Sequence, residues 1–351
     1  MRIRGARRAL VPAVVLAIAA VLGGLLGVEA QPPPGADLHG FSFFALGDTG
    51  KPPDWRGPLS PALRVARAVV REDRRAPIDA LVLLGDNFYP SGLHERELAE
   101  QLGENLVGPY CRFVEISPLG ARMLSNACDE PAAARHVVPI LAVLGNHDVK
   151  TPEGGPLQIE RVPELVTNWR AEVGALELVP GLSLITLDSK AIADGGDLGA
   201  FRAALRQARG PWRLVAAHQP IVDAGDGERT DYSRRMHEAI ASAGVPVQIF
   251  FAGHVHSLQV LRGAGAALHV VSGGGSDARP VGPTRAERLF ASAELGFVRV
   301  DAPGAGEEPP ASLEITLFGI RGSPLGVGTP RARFRLTLDG SVERLPLDGA
   351  L

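Results

Sequence analysis

Cysteine and lysine are scarce: the 351 residues hold two cysteines and only three lysines, Lys51, Lys150 and Lys190. Two cysteines are too few for a disulfide scaffold, and Cys111 and Cys128 lack the C-x-x-C spacing of a structural zinc site. Long runs of like charge are also missing, with 36 Lys plus Arg against 39 Asp plus Glu and a formal charge of −3. A nucleic-acid binder concentrates its basic residues, so nucleic acid as a bulk ligand is excluded. There is no internal repeat. A chain that is 45% hydrophobic and 21% charged is neither disordered, collagen-like nor a coiled coil. Its length is enough for one large or two small domains with a well-buried core.

Arg2, Arg4, Arg7 and Arg8 precede an apolar run from Ala9 to Val28, closed by Glu29 and Ala30, which has the order of charges and small residues of an export signal. The run is about 20 residues, also long enough to span a bilayer. Residues 1–30 are therefore either a cleaved signal peptide or an N-terminal anchor through residues 9–28, and the protein is expected to be exported, periplasmic or secreted. It meets a membrane only if the segment stays uncleaved. No cysteine follows the run, which excludes lipid acylation there. Without residues 1–30 the chain keeps 32 basic and 38 acidic residues, a charge of −6. Export would place Cys111 and Cys128 in an oxidising compartment, where they form either one bridge across an insertion or two free thiols. Residues 31–40, with three consecutive prolines, read as an extended linker.

Beyond the linker, short apolar β-rich runs alternate with helical patterns. Phe41–Leu46, Asp79–Leu84, Val137–Leu144, Leu182–Leu187, Arg213–Ala217 and Val247–Phe251 suit buried strands. Ser60-Pro61 offers an N-cap and a first-turn proline ahead of Leu63, Ala66, Val69 and Val70 at helical spacing, and Leu198–Ala208 and Tyr232–Ala243 repeat the pattern. After residue 256 strands predominate, at Val260–Leu261, His269–Val271, Phe297–Val300, Leu313–Phe318 and Arg333–Leu338. An α/β domain with a second, more antiparallel half is expected.

Five of the apolar runs end in a small residue followed by potential metal ligands: Gly47-Asp48-Thr49-Gly50, Gly85-Asp86-Asn87-Phe88-Tyr89, Gly145-Asn146-His147-Asp148, His218-Gln219-Pro220 and Gly253-His254-Val255-His256. In α/β folds ligands gather beyond the carboxyl ends of strands, so these five ends should converge. Taken singly, a Gly-Asp is more often a turn and a lone histidine more often a core residue. Together they supply carboxylates, an amide, a phenol and imidazoles, a mixed O/N set suited to iron, manganese or zinc. Arg262-Gly263-Ala264-Gly265 resembles a dinucleotide fingerprint only superficially, because no helix pattern follows.

In residue type, order and spacing the five blocks resemble the calcineurin-like metallophosphoesterases, and Tyr89, three residues after Asp86, makes them similar to the purple acid phosphatases within that superfamily. The resemblance implies a four-layer αββα sandwich of two mixed sheets flanked by helices, spanning residues 41–320, with an insertion at about 92–136 and a C-terminal β extension over 321–351. It implies two metal ions, Fe(III) with Fe(II), Zn(II) or Mn(II). Asp48, Tyr89 and His256 would hold the first, Asn146, His218 and His254 the second, and Asp86 would bridge them. Attack of a metal-bound hydroxide on a small phosphate monoester would follow. His147 would stabilise the phosphate or protonate the leaving alkoxide, and Asp148 either orients His147 or serves only the turn.

One departure stands out. The family generally has a further histidine nine or ten residues after the position of His218, and Ile221–Tyr232 contains none, offering Asp223, Asp226, Glu228 and Arg229 instead. An acid there would donate the proton, Arg229 would bind phosphate, or the segment is a solvated loop. Two further readings compete with monoester hydrolysis: a phosphodiesterase or nucleotidase on the same metals, and a metal-containing surface-binding protein without turnover. Gly273-Gly274-Gly275 resembles the family's glycine-rich return near the metals, and is otherwise a tight turn. The insertion, which holds both cysteines, is expected to rim the site and set substrate choice.

Overall fold

In the computed structural model the chain is described over residues 40–52, 56–124, 126–224, 230–305, 308–320 and 325–347. The expected signal or anchor (1–30) and nearly all of the linker (31–40) lie outside the described residues, as do Asp226, Glu228 and Arg229. Among the described residues no helix is long and apolar enough to cross a membrane.

The apolar runs form two mixed sheets. The first has the order β15 (Val342–Leu345), β14 (Thr329–Thr337), β13 (Ser312–Gly319), β12 (Gly296–Ala302), β1 (Phe41–Leu46), β2 (Ala80–Leu83), β3 (Ile140–Ala142) and β4 (Trp169–Arg170). Its half from β1 to β4 is parallel, and β12 to β15 pair antiparallel. The second sheet runs β11 (Glu287–Ser292), β9 (Leu258–Gly263), β10 (Ala266–Ser272), β8 (Ile249–Ala252), β7 (Trp212–Ala217), β6 (Leu182–Thr186) and β5 (Gly174–Val179). Here β10, β8, β7 and β6 are parallel. The antiparallel strands expected as a separate half are thus divided between the sheets. Sequence order concealed this, since β9 and β10 join the second sheet before β12 crosses back to pair with β1.

Because strand side chains alternate between faces, both faces of each central strand are apolar and both are covered. Phe43 and Ala45 of β1 join Leu214, Phe251, Val298 and Phe334 in a core between the sheets. Phe44 and Leu46 point the other way, against helix α1 (Pro61–Arg75) and residues 93–124. On the far side of the second sheet, α2 (Gly199–Gln207) and α3 (Thr230–Ala243) cover Ile185, Val215 and Phe250. The layers are helix, sheet, sheet, helix. Pro61 does start α1, but the Ser60 hydroxyl makes no capping bond and only its carbonyl engages the helix, accepting from Arg64 N at 3.0 Å.

The insertion is woven into the core. Leu98, Leu102, Leu106, Tyr110, Phe113 and Val114 are all buried beneath α1 and the first sheet, and Cys111 and Cys128 are bridged, with Cα atoms 5.2 Å apart. Asp73 of α1, fully buried, binds Arg112 and His136 and so ties the middle and the far end of the segment to the helix. Removing residues 95–131 would strip these side chains from the core, so the segment serves the packing of the domain whatever part it takes in substrate choice.

His269 of β10 is buried, and burial pushes its pKa down to about 4. The unfolded chain therefore binds a proton between about pH 6.5 and 4 that the folded chain refuses, and stability falls as pH drops through that window. In His269→Phe the acid-induced loss between pH 7 and 4 should shrink by about 3 kcal/mol. Denaturant melts at the two pH values measure this; an equal loss in both proteins would assign the acid sensitivity elsewhere.

Candidate metal centre

Each of the five motif loops leaves the carboxyl end of a parallel strand: β1, β2 and β3 in the first sheet, β7 and β8 in the second. Backbone bonds stitch the loops together, Asp48 N to Gly85 O at 2.8 Å and Gly253 N to His218 O at 3.0 Å. Such crossings need backbone without side chains. A Cβ on Gly145 would stand 2.2 Å from both the amide nitrogen and a carboxylate oxygen of Asp86. Among the described residues only three non-glycines have positive φ, Asp48 (60°), Asp86 (54°) and His254 (66°), and all three are in this cluster. A left-handed side-chain-bearing residue costs on the order of 1 kcal/mol, a strain that persists where the surroundings impose it.

The predicted ligands come together around Asp86. On one side the Tyr89 hydroxyl lies 2.8 Å from Asp86 Oδ2, 3.1 Å from Asp48 Oδ1 and 3.4 Å from His256 Nε2, which is itself 3.2 Å from Asp48 Oδ1. On the other, His218 Nε2 lies 3.1 Å from Asn146 Oδ1, 3.1 Å from His254 Nδ1 and 3.4 Å from Asp86 Oδ1. The two oxygens of one carboxylate thus face two separate donor sets. Asp48, Asp86 and His218 each offer one atom within 4.8 Å of the others.

These donors fit cations. Asp48, Asp86 and His218 are fully or almost fully buried, and a phenol has one proton to share between two carboxylates. Burial, then the charges of Asp48 and Asp86, push the Tyr89 pKa far above the ordinary phenol value, so a strong cation would be needed to hold it as phenolate. Burial alone would lower the His218 pKa, but Asp86 and Asp48 outweigh it and raise it. Both perturbations mark an anionic cavity short of positive charge.

His147 belongs to the cluster, but neither of its ring nitrogens is in a donor set. Its backbone N–H donates to Asp86 Oδ1 at 2.8 Å, its ring packs 4.3 Å from that of Tyr89, and Nδ1 lies 2.7 Å from Pro90 O. Asp148 does not touch it. Instead the Asp148 carboxylate accepts from Gly145 N (2.8 Å), Phe88 N (2.9 Å) and Asn87 N (3.1 Å), pinning the loop of Asp86 to that of Asn146. Burial, with Asp86 nearby, lifts its pKa to about 7 against those hydrogen bonds. The expectation that Asp148 orients His147 finds no contact to carry it, whereas the turn role does. Asn87 and the buried Gln158, joined at 3.1 Å, complete this clamp and carry no motif signal beyond the Asn of the second block. Asp223 is buried at the end of the Pro220 turn.

The family model described as calcineurin-like phosphoesterase matches residues 36–258. No curated protein sequence matches the chain. Among solved structures the chain is similar to GAP50, the anchor in the inner membrane complex of Plasmodium, at 15% identity and a TM-score of 0.56, over 83% of this chain and 88% of that one. It is also similar to purple acid phosphatase PPD1 from yellow lupin (Lupinus luteus) seeds, at 15% identity and a TM-score of 0.56, over 86% of this chain and 54% of that one. A structure of PhoD matches at 13% identity and a TM-score of 0.51, over 91% of this chain and 74% of that one. At such identities these neighbours speak for the fold, a two-sheet metallophosphoesterase sandwich whose family implies a binuclear metal site. With the family match running through all five converging loops, the chain belongs to the calcineurin-like phosphoesterases.

Proposed function

We propose that the protein is an exported phosphatase of the purple acid phosphatase type, with Fe(III) held by Asp48, Tyr89 and His256, a divalent ion held by Asn146, His218 and His254, and Asp86 between them. The observation that carries this reading is the Tyr89 hydroxyl, which stands among Asp48, Asp86 and His256 instead of packing in the apolar core. When bound, the two metals supply the Lewis acidity that polarises a phosphate and acidifies a water.

The chain's own residues supply the rest. The Asp86 carboxylate fixes the spacing of the two donor sets, and the His147 amide fixes Asp86. A carbonyl only accepts, so Pro90 O keeps a proton on His147 Nδ1 and leaves Nε2 as the atom that exchanges one. The attacking water would first give up a proton to bulk solvent; as its oxygen bonds to phosphorus and the P–O bond to the leaving group breaks, His147 Nε2 delivers its own proton to the departing alkoxide. The bridged Cys111 and Cys128 are consistent with an oxidising compartment.

Purified from the exported fraction with iron bound, the protein should show a visible tyrosinate-to-iron charge-transfer band, and Tyr89→Phe should lose it while keeping a folded domain. A colourless, iron-containing wild type would overturn the assignment and favour a manganese or zinc enzyme. A panel of monoesters and diesters assigns the ester class, with monoesters expected to be turned over faster.

A further inference from the structure

Seventeen residues beyond the last motif block, a loop crosses the metal centre that none of the five blocks contains. After β10 the chain passes Gly273, Gly274 and Gly275 and reaches Ser276, Asp277, Ala278 and Arg279. It is bolted to the ligand loops at three points. Gly275 N donates to Gly47 O at 3.1 Å, the Ser276 hydroxyl to Asp48 O, and Arg279 N to His256 O at 2.7 Å. The approach leaves no room for side chains: a Cβ on Gly275 would stand 2.2 Å from Gly47 O, and one on Gly273 2.3 Å from Val255 O.

This bolting sets Asp277 Oδ2 3.3 Å from His256 Nδ1. The imidazole is 4% exposed and its Nδ1 makes no aligned hydrogen bond, so Asp277 is the polar group that the fold sets against an otherwise orphaned atom. Asp277 is itself held in place. Its Oδ1 accepts from Ala278 N at 2.9 Å, and its Oδ2 lies 2.9 Å from Lys51 Nζ, which also sits over the Tyr89 ring at 5.8 Å.

We infer that Asp277 is a positioning residue for His256, and that Lys51, one of the three lysines in the chain, is the anchor of Asp277. An imidazole that offers Nε2 to a metal must carry its proton on Nδ1, and a buried N–H needs an acceptor. Asp277 fixes that tautomer and the ring plane, and its charge makes Nε2 a stronger donor. Lys51 offsets the added negative charge and holds the carboxylate in register. The role rests on the binuclear reading above, but it concerns metal binding, so it can be tested without turnover.

Zn(II) titration of the metal-free protein reads it. Asp277→Ala should weaken the tighter-affected of the two sites by about 10- to 100-fold, the range for loss of such a supporting carboxylate. Asp277→Asn, which keeps an acceptor but no charge, should fall between wild type and Ala. Lys51→Met should cost less than Asp277→Ala. In the zinc-loaded wild type, nitrogen-edited proton NMR should show a protected, downfield Nδ1 proton of His256 that is lost in Asp277→Ala; loss of affinity through mere misfolding would remove other protected signals too. Equal zinc affinity and an unchanged Nδ1 proton in Asp277→Ala would overturn the proposal. A wild type that holds two Zn(II) ions and hydrolyses no phosphate ester would instead sink the phosphatase reading and leave the role of Asp277 standing. Should Lys51→Met raise KM for an aryl phosphate with zinc affinity intact, Lys51 binds substrate and the anchoring half of the proposal fails.

Discussion

Replacing Asp86 by Asn is expected to cut kcat/KM for an aryl phosphate by at least about 10⁴-fold, equivalent to about 5.5 kcal/mol of transition-state stabilisation. The size follows from its position. One carboxylate faces Tyr89 on one side and His218 on the other and takes the His147 amide as well, so one substitution disturbs both donor sets and the proton donor together. Metal analysis should find fewer than two ions per chain in the variant. The metal-free protein should respond in the opposite direction. Asp48 and Asp86 are buried like charges that share a phenol proton, and neutralising one should leave thermal stability unchanged or raise it by about 1 kcal/mol. A variant that kept its activity, or lost it only by unfolding, would refute the bridging role.

His147→Ala should divide substrates by leaving group. For alkyl phosphates, whose alkoxides must be protonated as they depart, kcat should fall by about 10²- to 10³-fold. For an activated aryl phosphate the loss should be only about tenfold, because the phenolate leaves without a proton. Metal content should stay at the wild-type value, since the ring nitrogens lie outside both donor sets and only the backbone amide touches Asp86. A uniform loss on both ester types would mean that His147 stabilises the phosphate in place of protonating the leaving group. This comparison also bears on the missing second histidine, because residues 221–232 contain no imidazole that could take over the proton.

The donor cluster was legible because the fold builds it from strand ends. A buried parallel strand must be continuously apolar, and where it stops the first polar side chains are those that the sheet aims, so Asp48, Asp86, Asn146, His218 and His254 announce themselves by position as well as by type. Other features left no such trace. Asp277 stands alone in a glycine-rich loop and acquires its place only when β10 pairs beside β8. Asp148 read equally well as a partner of His147 or as a turn residue, and nothing in the sequence showed that its oxygens turn inward to three backbone amides. The insertion lacked strong periodicity because its short helical turns bury residues by tertiary packing against α1, a contact that depends on segments about 40 residues apart in sequence. No residue of β5 or β11 is fully buried, so no apolar alternation marked these strands.

The left-handed backbone at Asp48, Asp86 and His254 carries an implication for descent. At each of these positions the backbone conformation favours glycine or asparagine, a replacement resisted by retention of the ligand and, at Asp48 and Asp86, by the bonds their carboxylates accept from the His254 and His147 amides. In a lineage released from metal binding, drift should therefore reach these three codons early, turning Asp48, Asp86 or His254 into Gly or Asn while the glycines that let the loops cross remain fixed by packing. Such a pattern would mark a copy of this fold that has outlived its chemistry, and it would be readable in sequence before any assay.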